Sequence, residues 1–209
     1  MTKKDKVKNI IGALEKLYPN PVCALIYSKP HELLIAARLS AQCTDKRVNL
    51  VTPALFSRFP NLAAFANADV GEVEGYIRSC GLYKTKARDI IKTCKILLDD
   101  FGGVIPDNLD ELLKLSGIGR KTANLLIGTL YGKPAVVTDT HVIRLSNRLG
   151  LVNTKNPLKI EAELRKLLPQ SESLNFCHRL VFFGRDTCKA QSPKCGECCL
   201  KECCVYSDA

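Results

Sequence analysis

No stretch of this 209-residue chain approaches the roughly 18 consecutive apolar residues needed to span a membrane. No apolar core of signal-peptide length follows the opening Met-Thr-Lys-Lys-Asp-Lys. Both absences lead to the expectation of a cytoplasmic protein without membrane contact. Internal repeats and low-complexity segments are also missing, which excludes solenoids and biased linkers. Extended pattern is nearly absent as well. Ala135-Val136-Val137 alone reads as a strand, and it is too short for a sheet. Acid is scarce, with 21 Asp and Glu against 31 Lys and Arg, a formal net charge of +10. A surplus of that size implies a polyanionic partner, either nucleic acid or an anionic membrane surface.

What is present is ordinary in amount. The hydrophobic share of 46% with 25% charged residues argues for a globular chain of one large or two small domains. The 11 cysteines are not expected to form a disulfide framework in a reducing compartment. The basic residues gather in two places. Lys84, Lys86, Arg88, Lys92 and Lys95 face only Asp89, and Lys114, Arg120, Lys121, Lys133, Arg144 and Arg148 surround only Asp139. Such clustering favours a nucleic-acid footprint over scattered solubilising charge.

Apolar spacing predicts an all-α chain of about ten short helices. Val7, Ile10, Ile11, Leu14 and Leu17 form the face of a first helix, which Pro19 and Pro21 end. Pro30 opens a second, with His31 as a structural first-turn residue. Thr44 or Asp45 caps a third, in which Pro53 predicts a kink or a restart. A helix over 69–80 is expected to close at Gly81 in the left-handed region. Residues 85–101 carry Ile90, Ile91, Cys94, Leu97, Leu98 and Phe101 on one face. Asn108 to Glu111 reads as a capping box, and helices follow over 120–131, 140–149, 157–168 and 172–183.

The stretch Leu115-Ser116-Gly117-Ile118-Gly119-Arg120-Lys121-Thr122-Ala123 organises the rest. Two glycines one residue apart permit a turn with positive φ that aims backbone N–H groups outward. The helix N-terminus beginning at Arg120 adds unpaired donors and partial positive charge, so the turn suits a phosphate. Gly-x-Gly alone is equally a plain helix connection. The full run, with Leu115 and Ala123 packing the two helices, is more specific.

Lys121 falls in the first turn of the second helix, where a cation is electrostatically misplaced. A solvated surface lysine is the commoner arrangement, yet Asp139 is predicted as the N-cap of the next helix and stays ionised there. A nucleophilic amine must shed a proton that free lysine keeps up to about pH 10.4. Burial, the helix N-terminus and Arg120 favour the neutral amine, whereas Asp139 opposes it. Asp139 is therefore assigned to stabilising positive charge on a sugar and accepting a proton.

Six cysteines close the chain: Cys188, Cys195, Cys198, Cys199, Cys203 and Cys204. A metal centre is the natural account. The spacing Cys188-x6-Cys195-x2-Cys198-x5-Cys204 is looser than paired zinc ligands, and all-thiolate ligation also suits an iron–sulfur cluster. Spacing alone chooses neither metal and excludes neither Cys199 nor Cys203. Cys23, Cys43, Cys80, Cys94 and Cys177 read as small buried residues.

These residues, with Leu39-Ser40-Ala41-Gln42 and Gly81-Leu82-Tyr83, resemble the endonuclease III family of helix–hairpin–helix DNA glycosylases over nearly the whole chain. The resemblance implies a six-helix barrel domain over 22–132. It implies a second helical domain from 1–21 and 133–209 that carries an iron–sulfur loop, with the active site in the cleft between. It further implies a monomeric enzyme, nucleoid-associated in a prokaryote, that excises oxidised pyrimidines from duplex DNA and cuts the abasic strand. Lys121 would attack C1′ and form a Schiff base, Asp139 would be the essential carboxylate, and Gln42 and Leu82 would fill the space left by the flipped base. Leu115, Gly117, Gly119 and Arg120 would bind DNA through the hairpin. Cys188, Cys195, Cys198 and Cys204 would ligate a 4Fe–4S cluster beside Lys189 and Lys194. Cys199 and Cys203 depart from the family pattern. Two other readings compete: an adenine glycosylase relative, which Lys121 opposes, and a non-catalytic DNA-binding module, which does not require Lys121 and Asp139 together.

Overall fold

The computed structural model describes residues 2–206, and every regular element in them is helical. The chain divides into two compact units: one of Cys23–Tyr131, the other of Met1–Val22 with Gly132–Ala209. Among the described residues, no helix is long and apolar enough to cross a membrane.

The continuous unit holds α2 (Pro30–Leu39), α3 (Asp45–Arg58), α4 (Leu62–Ala66), α5 (Val70–Ile77), α6 (Tyr83–Phe101), α7 (Leu109–Leu112) and α8 (Arg120–Tyr131). Short polar caps begin several of them. Thr44, Asn61, Asp69 and Asn108 each accept a backbone N–H from the first turn with a side-chain oxygen. The core is built from Leu33, Leu34, Ile35, Leu39, Leu55, Phe59, Phe65, Ile77 and Leu97, all nearly or fully buried. Burying each of these side chains stabilises the unit by roughly 1.5–3 kcal/mol. Pro53 does not restart α3, which runs on to Arg58.

The ending of α5 differs from the expectation. The helix stops at Ile77, a 3-10 turn covers Arg78–Cys80, and Gly81 combines φ 64° with an extended ψ of 154°. The left-handed residue is the next one, Leu82, at φ 48° and ψ 27°.

The discontinuous unit holds α1 (Lys3–Leu17), α9 (Thr140–Arg148), α10 (Pro157–Leu167) and α11 (Ser173–Asp186), then a loop with two 3-10 turns, Cys195–Glu197 and Lys201–Cys203. Helices α9 and α11 cross where a Cβ on Gly184 would lie 2.5 Å from His141 Nδ1, so only glycine fits. The buried guanidinium of Arg179 ties α11 to the rest of its unit. It donates to Glu172 at 2.6 Å and to the Tyr18 carbonyl at 3.1 Å. The short extended segment is strapped to α11 through side chains, Ala135 N–H to Ser173 Oγ at 3.1 Å and Val137 N–H to Cys177 Sγ at 3.3 Å. Those bonds pair two of its backbone donors without a partner strand.

Candidate functional site

The hairpin occupies the link from α7 to α8. Asn108 caps α7 through Glu111 N–H at 3.0 Å, and Ile118 N–H closes the turn on the Leu115 carbonyl at 3.2 Å. Leu115 and Ile118 are buried, and Ala123 is fully so. Leu115 therefore anchors the turn and has no side-chain surface to offer a partner. Gly117 takes φ 71°, the one positive φ of the pair, while Gly119 has open space where a Cβ would stand. Gly119, Arg120 and Lys121 are exposed, and their N–H groups begin α8, where helix geometry leaves the first donors without intrahelical acceptors.

Below the turn lies a polar support that the sequence did not reveal. Arg38 on α2 donates to Asp89 Oδ2 through Nε at 3.0 Å and NH2 at 2.6 Å. Ser116 Oγ donates to Asp89 Oδ1 at 2.8 Å, and Thr93 Oγ1 donates to the Ser116 carbonyl at 3.0 Å. Asp89, the single acid in its basic run, is thus neutralised internally, and Lys84, Arg88, Lys92 and Lys95 of that run are exposed.

Lys121 is exposed, so burial does not contribute to favouring its neutral amine. Within its unit its charge is felt at Cys23, whose thiol burial pushes up, with Lys121 opposing and Asp45 reinforcing the shift. Gln42 and Leu82 are both exposed, and both hold positive φ, 53° and 48°.

In the other unit Asp139 is the N-cap of α9. Its Oδ1 accepts Val142 N–H at 2.7 Å, and its backbone is extended (φ −91°, ψ −179°). The cap uses Oδ1 alone, and the group is only partly buried, so the carboxylate keeps an oxygen to act with. Arg144, one turn on, brings a guanidinium nitrogen within 3.2 Å of His141 Nδ1. The same Arg144 nitrogen donates to the carbonyls of Gly184 at 3.1 Å and Cys188 at 2.9 Å.

Cys188, Cys195, Cys198 and Cys204 line one small cavity together with Thr187, Pro193, Lys194, Lys201 and Tyr206. Cys199, which is exposed, and Cys203 do not line it. Among the described residues no three His, Cys, Asp or Glu side chains are gathered closely enough to hold a metal ion as they stand. Arg148 fastens both ends of the loop. Its guanidinium donates to Cys188 Sγ at 3.3 Å, Lys189 O at 2.7 Å and Ala190 O at 3.0 Å, and it stacks 4.1 Å from the Tyr206 ring centre. Its carbonyl accepts Cys204 Sγ–H at 3.3 Å and Val205 N–H at 3.0 Å. Lys189 and Lys194 project from this loop, exposed.

Residues 35–170 match the model of the HhH-GPD superfamily base excision DNA repair proteins. Endonuclease III of Synechocystis sp. is 46% identical over 209 residues, which is all of this chain and 95% of that protein. The chain belongs to the endonuclease III family. The solved structure of a non-covalent endonuclease III–DNA complex superposes with a TM-score of 0.94 at 43% identity, covering 100% of this chain and 98% of that one. A trapped endonuclease III–DNA covalent intermediate, an estranged-adenine complex, superposes equally well at 42% identity and the same coverage.

Proposed function

We propose that this protein is a base-excision-repair DNA glycosylase and abasic-site lyase that removes oxidised pyrimidines from duplex DNA. One observation carries the reading. An exposed lysine, Lys121, stands in the first turn of the helix that follows a backbone-donor hairpin, so an amine is held beside a phosphate grip. The trapped covalent DNA intermediate of a 42% identical family member supports a nucleophilic amine of this kind.

The chemistry follows from the groups. Lys121 Nζ, once deprotonated, attacks C1′ of the damaged nucleotide, and the N-glycosidic bond breaks with its electron pair leaving on the base. Asp139, ionised at its cap, stabilises positive charge developing on the sugar and accepts the proton released from the attacking nitrogen. The nitrogen lone pair then opens the sugar, breaking the C1′–O4′ bond with O4′ taking the proton that Asp139 holds, and the iminium so formed makes the C2′ proton acidic. Its removal forms the C2′–C3′ double bond and expels the 3′ phosphate. Gln42 and Leu82 enter the stack in place of the extruded base. Gly117, Gly119 and Arg120 grip the phosphate backbone, with Leu115 as the buried anchor, and Lys189 and Lys194 add charge along the strand.

Cys188, Cys195, Cys198 and Cys204 would hold a 4Fe–4S cluster; the four thiols share one cavity and Arg148 donates to one of them, a donor set that suits all-thiolate ligation. Such a cluster supplies a fixed cross-link of the loop that presents Lys189 and Lys194. The barrel domain over 22–132 supplies the nucleophile and the wedge, the second domain supplies the carboxylate, and the enzyme acts as a monomer in the cytoplasm.

Sodium borohydride with a thymine-glycol duplex tests the reading. A covalent protein–DNA adduct that Lys121→Gln abolishes is expected; absence of any adduct with intact protein refutes the lysine mechanism.

A further inference from the structure

Among the described residues, the non-glycine positions with positive φ are Gln42, Leu82 and Ser192. Two of the three are the residues proposed above to enter the base stack. Such conformations persist only where the surroundings over-determine them, and beneath these two the surroundings converge on one side chain. Lys86 of α6 is fully buried. Its Nζ donates to the Leu39 carbonyl at 2.7 Å and to the Cys80 carbonyl at 2.8 Å, while its backbone N–H donates to the Leu82 carbonyl at 3.0 Å.

Those acceptors are the ends of the two loops. Leu39 is the last residue of α2, from which the chain turns to Gln42, and Cys80 ends the 3-10 turn that leads to Leu82. A cation is electrostatically favoured at the carbonyl end of a helix. Here one ammonium serves two such ends that lie far apart in sequence. Burial lowers the pKa of this lysine, and its ammonium donates to both carbonyls. A surface lysine in a DNA-binding basic run would be exposed, and Lys86 is the opposite.

We propose that Lys86 is a positioning residue that locks the loops bearing Gln42 and Leu82 into one rigid wedge, so that both side chains enter the duplex together. The proposal rests on the wedge role given to Gln42 and Leu82 above. An apolar residue at 86 leaves the two buried carbonyls without their donor, and each loop relaxes independently.

The test uses the full chain and a duplex with a tetrahydrofuran abasic-site analogue flanked by 2-aminopurine, whose fluorescence rise reports unstacking. Gln42→Ala and Leu82→Ala are each expected to slow unstacking at least tenfold, and the double variant is expected to be no slower than the worse single variant within twofold. Lys86→Met is expected to slow unstacking tenfold while affinity for undamaged duplex stays within twofold, and Lys86→Arg, which keeps a cation with several donors, recovers most of the rate. Single variants with no effect defeat the wedge reading and the proposal with it. Single effects that multiply in the double variant overturn the Lys86 role and leave the wedge reading standing, and this comparison decides the matter even where Lys86→Met does not fold. Wild-type unstacking in folded Lys86→Met, or an equal loss of undamaged-duplex affinity, also overturns the role.

Discussion

Arg38 and Asp89 form a forked ion pair directly under Gly117, where an added Cβ would abut Arg38 Nε and lie 2.5 Å from Asp89 Oδ2. Gly117→Ala therefore meets two obstacles, a left-handed φ of 71° and a charged pair with 11% and 17% of its side chains exposed. Left-handed geometry alone costs a non-glycine residue about 1–2 kcal/mol, and displacing the largely buried pair adds to that cost. Gly119→Ala meets neither, since nothing lies within 4 Å and φ is not positive. The expected outcome is a lowered melting temperature for Gly117→Ala, and unchanged melting with weaker duplex binding for Gly119→Ala. Calorimetry with fluorescence anisotropy checks both, and an unmelted Gly117→Ala would show that the pair does not abut the turn.

The hairpin, the caps and the helices were legible because they are local. Glycine spacing, Asn108, Asp139 and the apolar phase of α6 each act within a few residues of sequence. The support beneath them was not. Arg38, Asp89 and Ser116 come from three separate segments, and no short-range pattern pairs them. Lys86 was counted with the surface basic run, although it is fully buried. The available signal was its phase: Lys86 lies four residues before Ile90 and eight before Cys94, on the apolar stripe of α6, where a lysine is either buried or misplaced. Arg144 and Arg148 were likewise added to a footprint, whereas their guanidinium groups point inward to Cys188 and its neighbours. Charge clusters in sequence thus overstate charge on the surface.

Asp139 separates structure from chemistry by its own substitutions. Asn caps a helix about as well as Asp, whereas Ala loses about 1 kcal/mol. Asp139→Asn is expected to melt like the parent, because Oδ1 keeps Val142 N–H, and to remove base at least a hundredfold more slowly in single turnover. Asp139→Ala is expected to show the same catalytic loss and a lower melting temperature. A parental single-turnover rate in folded Asp139→Asn would sink the carboxylate role.

Binding to undamaged duplex should fall steeply with salt. If the hairpin, Arg120, Lys189 and Lys194 each neutralise a phosphate, log affinity declines linearly with log salt at about 0.9 per neutralised phosphate. Lys189→Ala and Lys194→Ala are each expected to lower that slope by about 1 without altering the choice of lesion. Anisotropy titrations across a salt series measure it, and a slope unchanged in both variants would remove the loop from the interface.

The six C-terminal cysteines divide by the cavity that four of them line. Cys195→Ser and Cys198→Ser are expected to lose the visible thiolate–iron absorbance and the bound iron together. Cys199→Ser and Cys203→Ser are expected to keep both. Iron analysis beside the absorption spectrum checks this, and zinc in place of iron in the parent protein would overturn the cluster assignment while leaving the four-ligand set intact.

Stability should also respond to acid through two histidines, one in each unit. Burial lowers the pKa of His178 below its ordinary value of 6.5, with the negative charge of Asp139 opposing. Burial likewise lowers that of His31, with Glu32 opposing. The folded state therefore binds fewer protons than the unfolded chain once the pH drops below about 6.5. The contribution of each neutral imidazole is intact above that value and is lost progressively as the pH falls toward the depressed folded pKa. His178→Gln, which cannot charge, is expected to flatten the acid limb of a plot of unfolding midpoint against pH, leaving the neutral limb parallel to the parent. Urea titrations at a series of pH values check it. An acid limb equally steep in His178→Gln and His31→Gln would place the acid sensitivity of this protein on its carboxylates.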